Sequence, residues 1–392
     1  MPHRYTYLLI GGGITADSAA YGIRQIDSDG SIGLISAELH PPYERPLLSK
    51  GLRQENIFDK IWRETATQQV SFHLGRRAQY LNLRDSQIMD DWGTVYQFDK
   101  LLLATGGTPR RLPCNAEGII YFRTLADHQH LCRLAKQGGR FAVLGGGFIG
   151  SEIAATLAMN GLAVTLIFPD IGIGGRTFPA DMAQFLNEYY RQRGVTVLNG
   201  EQITAVKKCA ERYVLKTANG REIIAEHVVA GLGIQPNTAL AESAGLVVDN
   251  GIHVDTSLRS SIPTIYAAGD VANFYNSNLD MRLRVEHEDN ANIMGEMAGR
   301  SMAGDAIAYN YLSFFNSTFF DLGYEAVGTL DACLETVADW QEPYRKGTIY
   351  YLKHQRICGV LLWNIQGQIE SARNLLSNRH TRIPNALVGC IK

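Results

Sequence analysis

The chain has 392 residues, of which 45% are apolar and 19% charged, a balance that excludes disordered and coiled-coil proteins and allows two or three domains with large cores. Its net charge of −2 argues against a nucleic-acid-binding surface, and no apolar run approaches the roughly 20 residues that span a bilayer. Glycine is abundant at 39 residues while proline is scarce at 12, which predicts tight turns inside regular structure.

The first residues contain only a short apolar stretch that runs into three glycines, so we expect a strand and not a signal peptide. The six cysteines are scattered, without a CxxC pair or metal-ligand spacing, which predicts reduced thiols, no metal site and a cytoplasmic protein. HExxH, GxSxG and Walker A motifs are all missing from the sequence. Their absence argues against zincins, α/β-hydrolases and P-loop NTPases.

Two segments repeat one pattern of strand, glycine turn, helix and strand. The first has an apolar run at 7–10, a turn with Gly11, Gly13 and Ala16, a helical stretch at 16–26 and a second run at 31–36. The second has the corresponding parts at 141–144, 151–159 and 163–168, and its turn contains Gly145, Gly147 and Gly150. We therefore predict two Rossmann-like βαβ units in an α/β protein.

The turns have the spacing that a dinucleotide pyrophosphate requires. The first glycine permits the tight turn, the second lets the backbone approach the phosphates, and the third small residue packs the helix against the strand. The phosphates then meet N–H groups at a helix N-terminus, where the helix dipole favours negative charge. Two such sites in one chain predict a nicotinamide and a flavin, since hydride transfer between them requires both.

An acidic residue about 20 positions after the turn usually binds the ribose hydroxyls. In the second unit this residue is Asp170, which would repel a 2′-phosphate and so favours NADH over NADPH. Arg176 is close in sequence and suits a phosphate, so NADPH is an alternative, and a solvated loop residue is the alternative for Asp170. In the first unit Ala37 occupies the usual place and Glu38 follows it, so we expect Glu38 to substitute.

Further turns carry Gly233 and, at the end of an apolar strand, the pair Gly269 and Asp270. With them, the chain resembles the flavoproteins with two dinucleotide-binding domains, the family of glutathione reductase and the ferredoxin reductases. No cysteine precedes Cys114, so the disulfide branch and the single-cysteine peroxidases are excluded. The stretches 41–50, 323–328, 346–352 and 360–365 resemble the branch of apoptosis-inducing factor and ferredoxin reductase.

The resemblance implies three domains. The FAD domain is discontinuous over 1–122 and 245–308, the NAD(P)H domain covers 123–244, and a C-terminal α+β domain with antiparallel strands covers 309–392. The chain lacks the mitochondrial targeting and membrane segments of eukaryotic members, so we expect a bacterial-type soluble homologue.

The resemblance also implies residue roles at the flavin. It places Arg45, Lys50 and Arg123 against FAD, and Asp270 against the ribityl–phosphate region. Glu286 and His287 would open a helix at 290–302 whose N–H groups face the flavin, and their spacing does not fit a metal site.

Glu152 matches an acid that pairs with Lys50, and these two are the catalytic candidates. Glu152 is also a candidate for NAD binding. The alternatives are a helix-terminal acid for Glu152 and a surface arginine for Arg123. His128 and His130 are expected on an exposed helix face.

At the nicotinamide, the resemblance implies an aromatic residue and an acid from the C-terminal domain. Phe315 is the aromatic candidate, with Phe314 or Phe319 as alternatives because a gap lies beside it. Glu325 matches an acid that binds the nicotinamide amide. The resemblance also implies a lid over the nicotinamide. The segment before Glu325 is shorter than in apoptosis-inducing factor, which argues against such a lid in this chain.

The predicted protein is an FAD-dependent oxidoreductase that prefers NADH. Hydride would pass from nicotinamide C4 to flavin N5, and the electrons would go to a small protein such as ferredoxin or rubredoxin, or to a small molecule. The alternative is a redox-responsive NADH-binding protein that turns over slowly and forms a charge-transfer complex. The resemblance allows a homodimer in either case.

Overall fold

The computed structural model describes residues 2–51, 57–114, 117–377 and 386–391, which form two compact units. We call unit 1 the segments Met1–Glu44, Phe58–Thr108 and Gln235–Ser313, and unit 2 the segments Arg45–Ile57, Pro109–Ile234 and Phe314–Lys392. The units are defined by compactness alone, so the three-domain division proposed from the sequence stays a prediction.

The strands in the first part of the chain are β1 (His3–Ile10), β2 (Ile32–Ser36), β3 (Val70–Leu74), β4 (Ala78–Asn82), β5 (Gln87–Asp90), β6 (Val95–Leu103), β7 (Gly107–Pro109), β8 (Ile120–Tyr121), β9 (Arg140–Leu144), β10 (Ala163–Phe168), β11 (Thr196–Asn199), β12 (Ile203–Cys209) and β13 (Arg212–Thr217). The later strands are β14 (Glu222–Ala225), β15 (His227–Ala230), β16 (Ile234–Pro236), β17 (Val248–Asp249), β18 (Gly251–Val254), β19 (Ile265–Ala267), β20 (Ala272–Asn276), β21 (Met281–Leu283), β22 (Phe314–Phe319), β23 (Leu322–Gly328), β24 (Glu335–Glu342), β25 (Lys346–Lys353) and β26 (Arg356–Trp363).

The α-helices are α1 (Ile14–Arg24), α2 (Pro46–Lys50), α3 (Leu125–Gln137), α4 (Phe148–Met159), α5 (Ala180–Gln192), α6 (Ala239–Ser243), α7 (Glu288–Ala303) and α8 (Ile369–Ser377). Short 3-10 turns cover Ile57–Asp59, Thr65–Gln68 and Gly269–Val271. None of the helices in the described part of the chain is long and apolar enough to cross a membrane.

Unit 1 is built on a seven-stranded sheet in the order β3-β2-β1-β6-β5-β4, and β19 also pairs with β6. Strands β1, β2, β3, β6 and β19 run parallel, and β4 and β5 extend the sheet in antiparallel pairs. Strands such as β2 are buried on both faces, as expected for parallel strands covered by other layers. Helix α1 connects β1 to β2, so the first predicted βαβ unit is confirmed.

Helices α1 and α7 cross closely because small residues face each other between them. Gly299 is the tightest point, since a Cβ atom there would lie 2.0 Å from the carbonyl oxygen of Ala19. The sequence predicted α7 at 290–302, and the helix is longer by two residues at its start and one at its end. A separate sheet in the order β17-β18-β20-β21 completes this unit.

Unit 2 contains the second predicted βαβ unit in a parallel sheet ordered β11-β10-β9-β15-β8. Helix α4 connects β9 to β10, and β12, β13 and β14 form a small antiparallel sheet. The C-terminal part forms an antiparallel sheet ordered β22-β23-β26-β25-β24, followed by α8. The predicted α/β class with a C-terminal α+β part is therefore confirmed.

Candidate functional site

The first glycine turn, in unit 1, leaves a helix N-terminus open to an anion. Gly11 has a φ of 129°, and a Cβ atom there would lie 2.1 Å from the carbonyl oxygen of Ala104, so only glycine fits. Gly13 is the N-cap of α1, and no side chain caps the helix. Ala16 is fully buried, as the small third residue should be. The N–H groups of this turn are therefore placed to receive a phosphate.

Glu38 lies just after the carboxyl end of β2, where the acidic residue of the first unit was predicted. Its backbone N–H donates to Ser36 Oγ at 3.1 Å, and its Oε2 accepts a hydrogen bond from the Tyr43 hydroxyl at 2.6 Å. Tyr43 is 1% exposed, whereas Ala37 is exposed. The Tyr43 hydroxyl thus fixes the carboxylate of Glu38, whereas the side chain of Ala37 has no polar group.

A second group of predicted flavin residues lies beside the first turn of α1, where a Cβ atom at Gly269 would meet Thr15 Oγ1 at 2.2 Å. Gly269 and Asp270 form a 3-10 turn after β19, and the Arg284 guanidinium donates to the Asp270 carbonyl oxygen at 3.0 Å. Arg284 also forms an ion pair with Glu286 at 2.6 Å, and its side chain is 8% exposed. Arg284 was not among the site residues predicted from the sequence. In the structure Arg284 connects Asp270 with Glu286.

His287 is the N-cap of α7, directly after Glu286. Burial lowers the pKa of His287 to about 4, against an opposing effect of the Asp270 carboxylate. The imidazole is therefore neutral at pH 7, so the positive end available here comes from the backbone N–H groups of α7.

The second glycine turn, in unit 2, repeats the first. Gly145 has a φ of 110°, and a Cβ atom at Gly150 would lie 2.0 Å from the Gly145 carbonyl oxygen. Gly147 is the N-cap of α4, again without a side-chain cap, and a Cβ atom there would meet nothing within 4 Å. The space beside Gly147 is open, as a bound pyrophosphate would require.

Asp170 lies two residues after β10, close to the second glycine turn. Its carboxylate forms an ion pair with Arg176 at 3.2 Å, and the two side chains are 31% and 80% exposed. The N–H of Gly174 donates to the Gly146 carbonyl oxygen at 2.8 Å, which ties this loop to the turn. The predicted ribose acid and the predicted phosphate-binding arginine are thus in contact. Gly233, with a φ of 80°, lies in the turn after β15.

Glu152 is buried in the first half of α4, with 6% exposure. Ser49 Oγ donates to its Oε2 at 2.6 Å, and Ser317 Oγ donates to its Oε1 at 2.5 Å. Burial raises the pKa of Tyr190 and Tyr324 well above the usual value, and the nearby charge of Glu152 raises both further. The carboxylate is therefore held by two serine hydroxyls and lies near two neutral phenols. Sequence reasoning missed both serines.

Lys50 does not pair with Glu152, contrary to the sequence-based expectation. Its Nζ donates to Asn316 Oδ1 at 3.1 Å, and no ion pair joins Lys50 to Glu152 in the part of the chain that the structure describes. The structure instead has Lys50 on Asn316, while the carboxylate of Glu152 accepts hydrogen bonds from Ser49 and Ser317, so the predicted pairing is wrong for this structure.

Arg45 and Arg123, both predicted at the flavin, lie together. Arg45 Nη1 donates to the Arg123 carbonyl oxygen at 3.3 Å, and the Arg123 N–H donates to Asp127 at 3.1 Å.

His128 was predicted to be exposed, but it is only 1% exposed, so that prediction is wrong. His130, which was also predicted to be exposed, is half-buried. His128 lies on the apolar face of α3 with the buried Leu125 and Leu131, each three residues away.

The three phenylalanines considered for the nicotinamide differ in their surroundings. Phe319 is 1% exposed and packs on Trp363 with ring centroids 6.3 Å apart, so it belongs to the core. Phe315 is half-buried, and its ring lies 5.9 Å from that of Phe148 at the start of α4. Phe314, also half-buried, lies beside the Arg373 guanidinium. Phe315 therefore contacts the helix that follows the second glycine turn.

Glu325 lies opposite Asn316 in the antiparallel pair of β22 and β23. Among the described residues its buried Oε2 atom has no hydrogen-bond partner, and burial raises the pKa of its carboxyl group above the usual value. It lines an open cavity of about 410 Å³ together with residues of β22, β23 and the segment after β26. An unsatisfied acceptor in a cavity is suited to the N–H groups of a carboxamide.

Both glycine turns meet the requirements of dinucleotides. Each has an uncapped helix N-terminus after a glycine of positive φ, and each has an acid after the following strand. In unit 1 the acid is Glu38, and in unit 2 it is Asp170. Unit 2 also contains the buried Oε2 of Glu325, which has no hydrogen-bond partner among the described residues.

Comparison with known proteins agrees with this geometry. The family model described as pyridine nucleotide-disulphide oxidoreductase matches residues 5–295, and that described as apoptosis-inducing factor, mitochondrion-associated, C-term, matches residues 338–378. The mitochondrial apoptosis-inducing factor 1 of Dictyostelium discoideum is 33% identical over 96% of this chain and 79% of its own. The ferredoxin reductase subunit of the 5,5'-dehydrodivanillate O-demethylase of Sphingobium is 33% identical over 92% and 90%.

The fold is also similar to solved structures. Putidaredoxin reductase, in its covalent complex with putidaredoxin, superposes with a TM-score of 0.91 at 26% identity, over 98% of this chain and 95% of that one. The family uses FAD and NAD(P)H. The chain therefore belongs to the pyridine nucleotide-disulphide oxidoreductase family and is an FAD-dependent NAD(P)H oxidoreductase of the ferredoxin reductase type.

Proposed function

We propose that the protein oxidises NADH in preference to NADPH and passes the electrons to a small electron-transfer protein such as ferredoxin or rubredoxin. One observation carries this proposal: each unit holds its own uncapped glycine turn at a helix N-terminus, so one chain can bind two dinucleotides. When bound, FAD would supply the redox chemistry that links hydride donation by a nicotinamide to the release of electrons to an acceptor.

The residues proposed for FAD have distinct tasks. Gly11, Gly13 and Ala16 form the turn that receives the pyrophosphate, and Glu38 accepts hydrogen bonds from the adenosine ribose. Gly269 and Asp270 hold the ribityl–phosphate region, and Glu286 and His287 start the helix whose N–H groups stabilise negative charge. Arg45, Lys50 and Arg123 keep the flavin roles that the resemblance implies.

The residues proposed for NADH lie in unit 2. Gly145, Gly147, Gly150 and Gly233 form its backbone contacts, and Asp170 accepts hydrogen bonds from its ribose hydroxyls. Arg176 neutralises Asp170 at 3.2 Å and is itself mostly exposed, so it offers a partner for a 2′-phosphate. We therefore expect a preference for NADH that is moderate and not absolute.

Phe315 and Glu325 are proposed to orient the nicotinamide ring. Glu325 has a buried oxygen without a partner, which a carboxamide N–H would satisfy. Phe315 adds an aromatic surface beside Phe148. A fixed amide sets which face of the nicotinamide ring is presented, and this orientation favours hydride transfer. Glu152 remains a catalytic candidate as a buried acid held by the hydroxyls of Ser49 and Ser317.

We propose a small protein as the acceptor because similar proteins are reductases of small electron-transfer proteins. The Sphingobium relative is named as a ferredoxin reductase subunit, and the similar structure shows a reductase joined to putidaredoxin. Electron-transfer partners of this kind associate through complementary charge, so turnover with the partner should fall as ionic strength rises.

The test begins with the flavin content of the purified protein and its anaerobic stopped-flow reduction by NADH and NADPH. We expect bound FAD, faster reduction by NADH, and rapid reoxidation by ferredoxin or rubredoxin but not by dioxygen alone. Quinones and ferricyanide serve as small-molecule acceptors in the same assay. A protein that takes up no FAD would contradict the proposal. Reoxidation by small molecules only would show that the acceptor is a small molecule and not a protein.

A redox-responsive NADH-binding protein is the second candidate. It is favoured by the match of residues 338–378 to the C-terminal model of apoptosis-inducing factor. Its expected result is slow reoxidation by every acceptor, a persistent long-wavelength absorption band after NADH is added, and a change from monomer to homodimer. Light scattering with and without NADH measures the last point and separates the two candidates.

A further inference from the structure

Arg284 is a buried arginine that directly follows β21 in unit 1. Its side chain is only 8% exposed. A guanidinium has a permanent charge and five N–H donors in a planar fork. Its burial is therefore unfavourable unless the charge is paired and the N–H groups find acceptors. The partners of Arg284 meet both requirements.

The guanidinium of Arg284 joins three separate segments of unit 1. Its Nε donates to Asn250 Oδ1 at 3.2 Å, in the turn between β17 and β18. Its Nη1 donates to the backbone carbonyl oxygen of Asp270 at 3.0 Å, in the 3-10 turn after β19. Its Nη2 forms an ion pair with Glu286 Oε1 at 2.6 Å, one residue before the N-cap of α7. Each nitrogen of the fork thus contacts a different segment.

Gly251 provides the space for this arrangement. It has a φ of 114°, and a Cβ atom there would lie 2.6 Å from the Val271 carbonyl oxygen and 3.0 Å from Arg284 Cδ. A larger residue would be strained in this backbone conformation and would press on both neighbours. Asn250 and Gly251 together therefore make room for the arginine and bind it.

We propose that Arg284 is a positioning residue for FAD, which fixes the turn of Asp270 relative to the N-terminus of α7. The inference rests on the proposed function, which assigns Asp270 to the ribityl–phosphate region and the first N–H groups of α7 to the flavin. A bound FAD has to meet both groups at once. Arg284 bonds to the backbone of the first and beside the second, so it sets their distance before FAD binds.

Arg284 also compensates the charge of Glu286. The N-terminus of α7 favours negative charge on a reduced flavin, whereas an unpaired carboxylate beside it would oppose that charge. The ion pair places a positive charge 2.6 Å from this carboxylate. We therefore expect Arg284 to influence the reduction potential of the flavin as well as its binding.

The first measurement is the Kd for FAD, from the release of flavin when the holoprotein is diluted. Arg284→Lys should raise this Kd about tenfold, because an ammonium group keeps the charge but does not reach three acceptors at once. Arg284→Gln should raise it further. The control is Arg282→Gln on β21, whose guanidinium donates to the Asn273 carbonyl oxygen at 2.6 Å, and it should keep the wild-type Kd.

The second measurement is the reduction potential of the bound flavin, titrated anaerobically against a reference dye at protein concentrations above the Kd. Arg284→Gln leaves Glu286 unpaired, so reduced FAD should lose about tenfold more affinity than oxidised FAD, a shift of about 30 mV to more negative potential. Arg284→Gln combined with Glu286→Gln removes both charges and should recover the potential but not the Kd. Arg284→Lys should keep the potential of the wild type.

This separation of potential from affinity would not arise from a role in packing alone. An FAD Kd in Arg284→Lys equal to that of the wild type would overturn the positioning role, and this variant decides the question if Arg284→Gln does not fold. A potential in Arg284→Gln equal to that of the wild type would overturn the compensation of Glu286.

The same measurements separate the inference from the proposed function. A wild type that binds FAD but is not reduced by NADH would contradict the proposed function, while the FAD Kd values would still decide the role of Arg284. A wild type that NADH reduces and ferredoxin reoxidises, together with unchanged Kd values in both Arg284 variants, would overturn the inference and leave the proposed function intact.

Discussion

The imidazole Nδ1 of His128 lies 2.8 Å from the backbone carbonyl oxygen of Leu48. This contact joins α3 to the short helix α2, and Leu48 directly precedes Ser49 and Lys50. Burial lowers the pKa of His128, so the ring is neutral at pH 7 and its Nδ1–H donates to the carbonyl. Nε2 then accepts from the Cys132 thiol at 3.4 Å. A buried histidine therefore fixes the helix that carries Lys50.

Replacement of His128 by alanine should loosen α2. The Leu48 carbonyl would lose its donor and a buried cavity would form, so we expect the free energy of unfolding to fall by about 2–4 kcal/mol. Urea unfolding at pH 7.5 measures this loss, and flavin reduction by NADH should slow in the same variant. His130→Ala, on the same helix but half-buried, is the matched control. Equal stabilities for both variants would show that the contact with Leu48 is not stabilising.

The contact between Asp170 and Arg176 predicts how the two nicotinamide nucleotides are distinguished. Asp170→Ala removes the proposed ribose acceptor and frees the arginine, so NADH should bind about tenfold more weakly while NADPH binds equally or more tightly. Arg176→Ala should weaken NADPH alone. Kd values from flavin absorbance titrations, with NADH and NADPH side by side, check this. An equal loss for both nucleotides in Asp170→Ala would remove the ribose role.

The two βαβ units were predictable because their determinants are local. Each is specified within about thirty residues by an apolar run, a glycine spacing and a helical stretch, and the structure contains β1–α1–β2 and β9–α4–β10 at those places. The helix α7 was likewise found to within two residues at each end. Patterns of this kind are visible in a single sequence.

The partners of Glu152 were not predictable, because they come from distant parts of the chain. Ser49 is 103 residues away and Ser317 is 165 residues away, and nothing in the sequence marks either serine. The resemblance suggested Lys50 as the partner of Glu152. The sequence alone does not reveal that Glu152 contacts two serine hydroxyls instead. His128 is different, since its spacing of three from Leu125 and Leu131 was a signal in the sequence that could have placed it on the buried face of α3, although it was predicted to be exposed.

Glu325→Gln should separate nucleotide binding from stability. Burial raises the pKa of Glu325, which means that the folded protein disfavours its charged form. A neutral glutamine avoids this cost, so the variant should be more stable than the wild type at pH 7. The amide is a weaker acceptor than a carboxylate, and we expect NADH to bind about fivefold more weakly.

The pH dependence of binding provides the control for Glu325. In the wild type, NADH affinity should fall as the pH falls through the raised pKa of this carboxyl group, because its protonated form is the weaker acceptor. The glutamine variant should lack this component. If both proteins show the same pH profile for the NADH Kd, Glu325 does not contact the nucleotide.

His287 predicts a pH dependence of stability with a defined sign. Burial lowers the pKa of His287 to about 4, whereas an unfolded histidine titrates near 6.5. Between these values the unfolded chain binds more protons than the folded one, so stability rises with pH across this window and is lost as the pH falls through it. The side chain is only half-buried, and water screens part of the effect, so we expect this titration to change the free energy of unfolding by about 2 kcal/mol.

His287→Gln keeps a polar side chain without a titrating ring. The difference in unfolding free energy between wild type and variant, measured in urea at pH 7.5 and pH 5, should change by that amount in favour of the variant at low pH. A constant difference would show that the environment of His287 does not disfavour its protonated form.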